Sequence, residues 1–196
     1  MKRLLILGML VMVALPGAAR AAEETKTGMK DGKPYFEASE KTTEQATVTR
    51  VEKATRHVTL KGEHGDTLRV ECGPQIKNFA QIKVGDLLEV SYTERLTITV
   101  EAAGNAEMTT ESSTGAAKLG EMPSGSVTER TEYKATITAI NKANGTATLK
   151  GYDGEEFIIT PIHPENLGKV TVGELVVFTH TQAVAASMKK VVPKKK

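Results

Sequence analysis

Tryptophan is absent from the 196 residues, and only four tyrosines and four phenylalanines occur. A core must therefore be built from Val, Ile, Leu and Thr, residue types that favour β-strands. Cysteine occurs once, at Cys72, so no disulfide can form within the chain. A buried thiol and a disulfide to another molecule are the two alternatives for this residue.

The chain also lacks a strong net charge. Its 26 basic residues exceed the 24 acidic ones by two, and three of the basic residues (Lys2, Arg3 and Arg20) lie in a segment that we expect to be removed. The mature chain is then close to neutral, which is not typical of nucleic-acid-binding proteins. We expect no nucleic-acid partner.

Sequence motifs for catalysis and nucleotide binding are missing. No G-x-x-x-x-G-K-[ST] or G-x-G-x-x-G phosphate-binding loop occurs, and no G-x-S-x-G follows a predicted strand. Cys72 has no base near it in sequence that could activate it as a nucleophile. We predict that the protein is not an enzyme and that it needs no cofactor.

One long apolar run is present, at residues 4–15. Two basic residues precede it, and the small residues Ala19 and Ala21 follow it, which is the order of an export signal peptide. We expect cleavage after residue 21 and a periplasmic protein, with secretion from the cell as the alternative. The run is short for a bilayer core about 30 Å thick, and no later segment predicts a transmembrane helix.

A repeat is the main positive feature of the sequence. Residues 46–65, ATVTRVEKATRHVTLKGEHG, return at residues 135–154 as ATITAINKANGTATLKGYDG, with ten of the twenty positions identical. This similarity predicts a tandem duplication of one small unit. The shared positions are turns, threonines and inward apolar residues. A site would therefore lie where the copies differ, as at Arg50/Ala139, His57/Thr146, Glu63/Tyr152 and His64/Asp153.

Short strands with alternating apolar residues make up each copy. The alternation predicts strands at residues 46–51, 57–61, 67–71, 87–93 and 96–100, with counterparts ending at residues 184–188. Five short strands in so small a unit favour a closed barrel. We predict an all-β protein with two tandem OB-like barrels, or SH3-like barrels as the alternative.

The composition between the repeats sets the expected domain boundaries. Polar, Gly-rich segments predict flexible chain, and five lysines among the last eight residues predict weak contact with an anionic surface or a solvated end. The expected order is a signal peptide (1–21), a flexible segment (22–42), barrel one (43–100), a flexible linker (101–130), barrel two (131–188) and a basic tail (189–196).

Metal binding is the alternative chemistry that we considered. A site for a soft metal needs several His, Met or Cys side chains within one domain. The strongest pair is His180 with Met188, on adjacent predicted strands, although an edge histidine is the simpler interpretation. The other residues of these types are His57, His64, His163, Met29, Met108, Met122 and Cys72.

One stretch resembles a known family. Residues 78–86, NFAQIKVGD, and residues 89–96, EVSYTERL, resemble exported proteins of Gram-negative bacteria that have a small β-barrel unit and no assigned function. The resemblance covers most of the first copy and implies a periplasmic barrel without a catalytic residue. The architecture is also distantly similar to periplasmic copper-efflux barrels, which use a Trp that this chain lacks.

These observations favour a non-enzymatic binding module of the cell envelope, whose partner is a protein or a cell-wall polymer. Two weak sites on one chain would gain avidity. The alternative is a periplasmic protein that binds copper or a similar metal.

Titration of the mature protein with Cu(I), Zn(II) and Ni(II) separates the two hypotheses. For the binding module we expect no affinity tighter than micromolar, because no set of soft ligands converges in the sequence. A nanomolar complex with any of the three ions would favour the metal hypothesis.

Overall fold

The computed structural model describes residues 22–74 and 76–191. The predicted signal peptide and residues 192–196 of the predicted tail lie outside these ranges. Neither 3₁₀ helix in the described ranges has the length and apolar character needed to cross a membrane. The strands are β1 (Ala22–Lys30), β2 (Lys33–Glu52), β3 (His57–Gly62), β4 (Thr67–Glu71), β5 (Leu87–Glu101), β6 (Met108–Ala116), β7 (Ser124–Asn141), β8 (Thr146–Lys150), β9 (Glu156–Ile159) and β10 (Leu175–Lys189), and the 3₁₀ helices are Phe79–Gln81 and Pro164–Lys169.

These strands form one antiparallel sheet. Its order is β4-β3-β2-β5-β10-β7-β8-β9, with β1 also paired to β2 and β6 also paired to β7. The prediction of an all-β protein is confirmed. The predicted pair of closed barrels is not confirmed, because the sheet is open: β4 pairs only with β3, and β9 pairs only with β8, among the residues described.

The two central strands correct the predicted strand boundaries. We expected a break between residues 93 and 96, but β5 is continuous over 15 residues, and so is β10. Neither midpoint, at Glu94 or Gln182, has a Gly, Pro, Asn or Asp beside it to turn the chain. The strands therefore stay extended and pair with each other, with Glu94 opposite Gln182.

The segments predicted to be flexible contain strands, which is a second correction. Strand β1 and the start of β2 occupy most of residues 22–42, and β6 and the start of β7 lie within residues 101–130. Asp31 and Gly32 both have positive φ, the geometry of a two-residue hairpin turn. These strands are polar because they are exposed, and they gain order by pairing with the long strands β2 and β7.

The strand pairings of residues 22–101, the first half, recur in residues 108–189, the second half. Strand β2 pairs with β1, β3 and β5, and β7 pairs in the same manner with β6, β8 and β10. Even the register shift between Val48 and Arg50 recurs between Ile137 and Ala139. The two halves therefore share one strand pattern.

Two hydrophobic cores lie at opposite ends of the long strands, and each uses residues of both halves. We call them core one (Val48, Val58, Leu60, Cys72, Phe79, Ile82 and Met188) and core two (Tyr133, Ala135, Ile137, Leu149 and Val176). Met188 of β10 enters core one, and Ile98 of β5 packs against core two. The halves therefore exchange the ends of their central strands.

Substitution of the turn glycines tests whether the two halves are equivalent. Gly85 and Gly173 have φ of 92° and 95°, and their N–H groups donate to the carbonyls of Val48 and Ile137. We expect Gly85→Ala and Gly173→Ala each to cost about 1–2 kcal/mol in urea unfolding, because L-residues are strained there. Gly168→Ala is the control, since its new methyl group meets no atom within 4 Å. If Gly173→Ala had the same unfolding free energy as the wild type, the equivalence of Gly85 and Gly173 would be contradicted.

Candidate functional site

An apolar cavity of about 350 Å³ lies beside core two. The β1–β2 hairpin and the end of β5 reach it from the first half, and strands β7 to β10 and the second 3₁₀ helix complete it. Ile162 lines the cavity and is 70% exposed, so the cavity opens to solvent after β9. Its deeper lining includes Ile98, Val100, Ile137, Ile159, Leu167 and Phe178.

Smaller side chains beside core two leave part of this space. Ala147, which lines the cavity, corresponds to Val58, which is 1% exposed in core one. Val100 likewise stands where core one has the buried Met188. A buried methylene contributes about 0.8 kcal/mol to stability. At these two positions the side chains beside core two are smaller than those of core one, and the cavity lies next to them.

The residues that precede the prolines of the two hairpins also differ, and the apolar one again lies at core one. Met122, in the β6–β7 connection, packs against core one, and the next residue, Pro123, is buried. In the first half the corresponding residue before a proline is Lys33. Its ammonium bonds to Glu174 Oε1 at 2.5 Å and to the Lys169 carbonyl at 3.1 Å. Core one is thus covered by an apolar side chain, whereas the corresponding lysine is directed to Glu174 and the Lys169 carbonyl.

A third difference concerns the loop after the fourth strand of each half. In the first half the Arg56 guanidinium donates to the carbonyls of Cys72, Gly73 and Ile76, and it lies 4.6 Å from the centre of the Phe79 ring. The corresponding residue of the second half is Gly145, which has no side chain to hold the loop. Its φ of 67° keeps the left-handed backbone that Arg56 also has.

Two carboxylates near the cavity, those of Glu174 and Glu37, accept hydrogen bonds from neighbouring side chains. The hydrogen bond from Lys33 lowers the pKa of Glu174, and the Thr171 N–H, at 2.9 Å from Oε2, acts in the same direction. Tyr35 donates to Glu37 at 2.7 Å, a bond that raises the pKa of Tyr35 and lowers that of Glu37. Among the described residues, the cavity lining itself contains no lysine or arginine that could bind an anionic head group.

Two further polar side chains line the cavity, both from the segment around the second 3₁₀ helix. His163 Nδ1 lies 3.2 Å from Glu165 Oε1. Asn166 has no partner for its side-chain amide in the described parts of the chain. Asn166 is therefore a polar group with spare hydrogen-bonding capacity in a largely apolar lining.

The metal candidates are not brought together. His180 and Met188 are eight residues apart on the single strand β10, which separates them by about 27 Å. His180 Nε2 lies 2.7 Å from Glu94 Oε1, and the Tyr92 hydroxyl lies 3.1 Å from the other oxygen. Within residues 22–74 and 76–191, no three His, Cys, Asp or Glu side chains form a metal-binding group.

The remaining metal candidates are dispersed over the molecule. Met29 and Met108 are exposed on β1 and β6, and His57 Nδ1 lies 2.8 Å from the Thr55 carbonyl. Cys72 is buried in core one, where loss of hydration raises the pKa of its thiol and the nearby Arg56 partly opposes that rise. A thiol that is 7% exposed is poorly placed for a disulfide to another molecule.

Differences between the copies do lead to the cavity, but through an inward position. The outward differences expected to mark a site, such as His57/Thr146 and Glu63/Tyr152, are not part of the lining. The inward pair Val58/Ala147 does contribute to the lining, through Ala147. The loss of a buried methyl-bearing side chain was the signal in the sequence that could have indicated it.

Comparisons with known proteins gave no relatives. No protein-family model, no curated protein and no solved structure matched the chain.

The Lys33–Glu174 pair gives a pH-dependent prediction. Because the pKa of Glu174 is lowered on folding, its contribution to stability is present above the unfolded pKa of about 4.3 and is lost as pH falls through the folded value. We expect Glu174→Gln to lower the unfolding free energy by about 1 kcal/mol at neutral pH, with the difference disappearing in acid. Urea unfolding of both proteins over a pH series measures this. A difference that does not change with pH would contradict it.

Proposed function

We propose that the protein is a non-enzymatic binding module that takes up an apolar group in the cavity beside core two. The cavity itself carries the proposal: it is lined mainly by apolar side chains, opens to solvent at Ile162, and has the volume of a small ligand site. An apolar space reached from solvent gains free energy when an apolar group replaces water in it.

The lining favours binding over catalysis. Its titratable side chains are Tyr35 and His163, and their partners are the carboxylates of Glu37 and Glu165. Covalent catalysis needs a nucleophile beside a base that a third group orients. The residues around the cavity supply a shaped apolar surface with few polar groups, which suits recognition.

The cellular setting is part of the same proposal. The signal-peptide pattern at residues 1–21 and the resemblance of residues 78–96 support a periplasmic protein of the family of exported small β-barrel proteins. The ten identities between the copies and the recurring strand pairings support an origin by duplication. In this proposal core one stays sealed, and the cavity beside core two is the site for a protein or another envelope component.

Binding of an apolar dye tests the proposal. The mature protein is titrated with N-phenyl-1-naphthylamine, whose fluorescence rises in an apolar environment, and we expect a micromolar dissociation constant. Ala147→Leu places extra carbon atoms in the cavity and should weaken binding about fivefold or more, equal to roughly 1 kcal/mol.

The control is Val184→Ala on β10, which changes an exposed apolar residue outside the lining. Circular dichroism establishes that both variants keep their strands. Absence of dye binding, or equal affinity of wild type and Ala147→Leu, would sink the proposal.

A further inference from the structure

Core one shows how this fold fills the space that is open beside core two. There the chain supplies its own occupant, the β6–β7 connection, which we call the plug (residues 117–123). Met122 packs against core one. The plug backbone is also held, because Asn78 Nδ2 donates to the Lys118 carbonyl at 2.6 Å and the Met188 N–H donates to the Pro123 carbonyl at 2.8 Å. An apolar side chain and a backbone carbonyl thus cover core one together.

The hydrogen-bond donor for such a carbonyl is repeated beside core two. Asn166 corresponds to Asn78, since each directly precedes the buried residue of its 3₁₀ helix, Leu167 or Phe79. Asn78 has a plug carbonyl as its acceptor, whereas the amide of Asn166 lacks a partner among the described residues. The second half therefore retains the donor but has no carbonyl bound to it.

The apolar part of the plug is missing there as well. Lys33 occupies the place of Met122, and its ammonium is directed to Glu174 and to the Lys169 carbonyl. A charged group cannot fill an apolar cavity without a large desolvation cost. The cavity thus corresponds to the space that Met122 fills at core one. The amide of Asn166, which has no partner among the described residues, corresponds to the amide of Asn78 that binds the plug carbonyl.

Resting on the proposed function, we infer that the ligand is a polypeptide of a partner protein that inserts a Met or Leu side chain into this cavity. The side chain takes the role of Met122, and a backbone carbonyl of the partner accepts the amide hydrogen bond of Asn166. Burial of one such side chain and one hydrogen bond gives the weak, reversible affinity expected of a single contact.

A cyclic peptide that copies residues 115–126 (GAAKLGEMPSGS) is the probe, and displacement of the naphthylamine dye from the full mature protein is the measurement. We expect displacement at micromolar to millimolar peptide. The matched control peptide carries Lys in place of Met, as the first half does, and should not displace the dye.

Two protein variants separate the side-chain contact from the backbone contact. Asn166→Ala should weaken the peptide about fivefold more than it weakens the dye, because only the peptide offers a carbonyl to Asn166. Lys33→Met gives the chain a plug of its own and should reduce binding of both dye and peptide, with the fold checked by circular dichroism.

The results also distinguish this inference from the proposed function. Dye binding without displacement by the Met peptide, or equal displacement by the Lys peptide, overturns the polypeptide ligand while the cavity remains a binding site. Displacement by sodium dodecanoate but not by the peptide overturns it in favour of an acyl chain. Absence of dye binding removes the proposed function itself.

Discussion

The pairing of β5 with β10 is the interaction on which the rest of the structure depends. Because both strands run straight through their midpoints, where Glu94 faces Gln182, each carries its second part into the core of the other half. A turn at either midpoint would return the strand to its own half and leave the two cores separate. The continuous strands instead make one sheet with a composite core at each end, so neither half can complete its core alone.

A shared scaffold with unequal cores follows from this arrangement. Core one is closed by the large Met188, by Met122 of the plug and by the Arg56 guanidinium, which holds the loop beside it. The corresponding residues on the side of core two are Val100, Lys33 and Gly145. Each change removes a group that covers core one or holds the loop beside it, and Val100 lines the cavity.

The sequence allowed much of the local structure to be predicted, and little of the site. Alternation at Val58 and Leu60 and the Asp153-Gly154 turn predicted strands that the structure contains, because those signals depend only on near neighbours. The exposed strands β1 and β6 were predicted as flexible chain, since their polar residues carry no core-facing pattern. The pair His180 and Met188 looked close only while a turn was assumed between them. On a continuous strand they belong to different parts of the molecule.

The residue pattern by itself determined the all-β class and the repetition of strands and turns, because strand propensity, apolar alternation and turn residues act over a few positions. Only the tertiary structure decided whether each strand folds back or crosses over, since both choices satisfy the same alternation and differ only in the partner that completes the backbone hydrogen bonds. The cavity was decided at that level too. It depends on Ala147 and Val100 meeting in space, and these residues lie on strands of both halves that the crossing of β5 and β10 brings together.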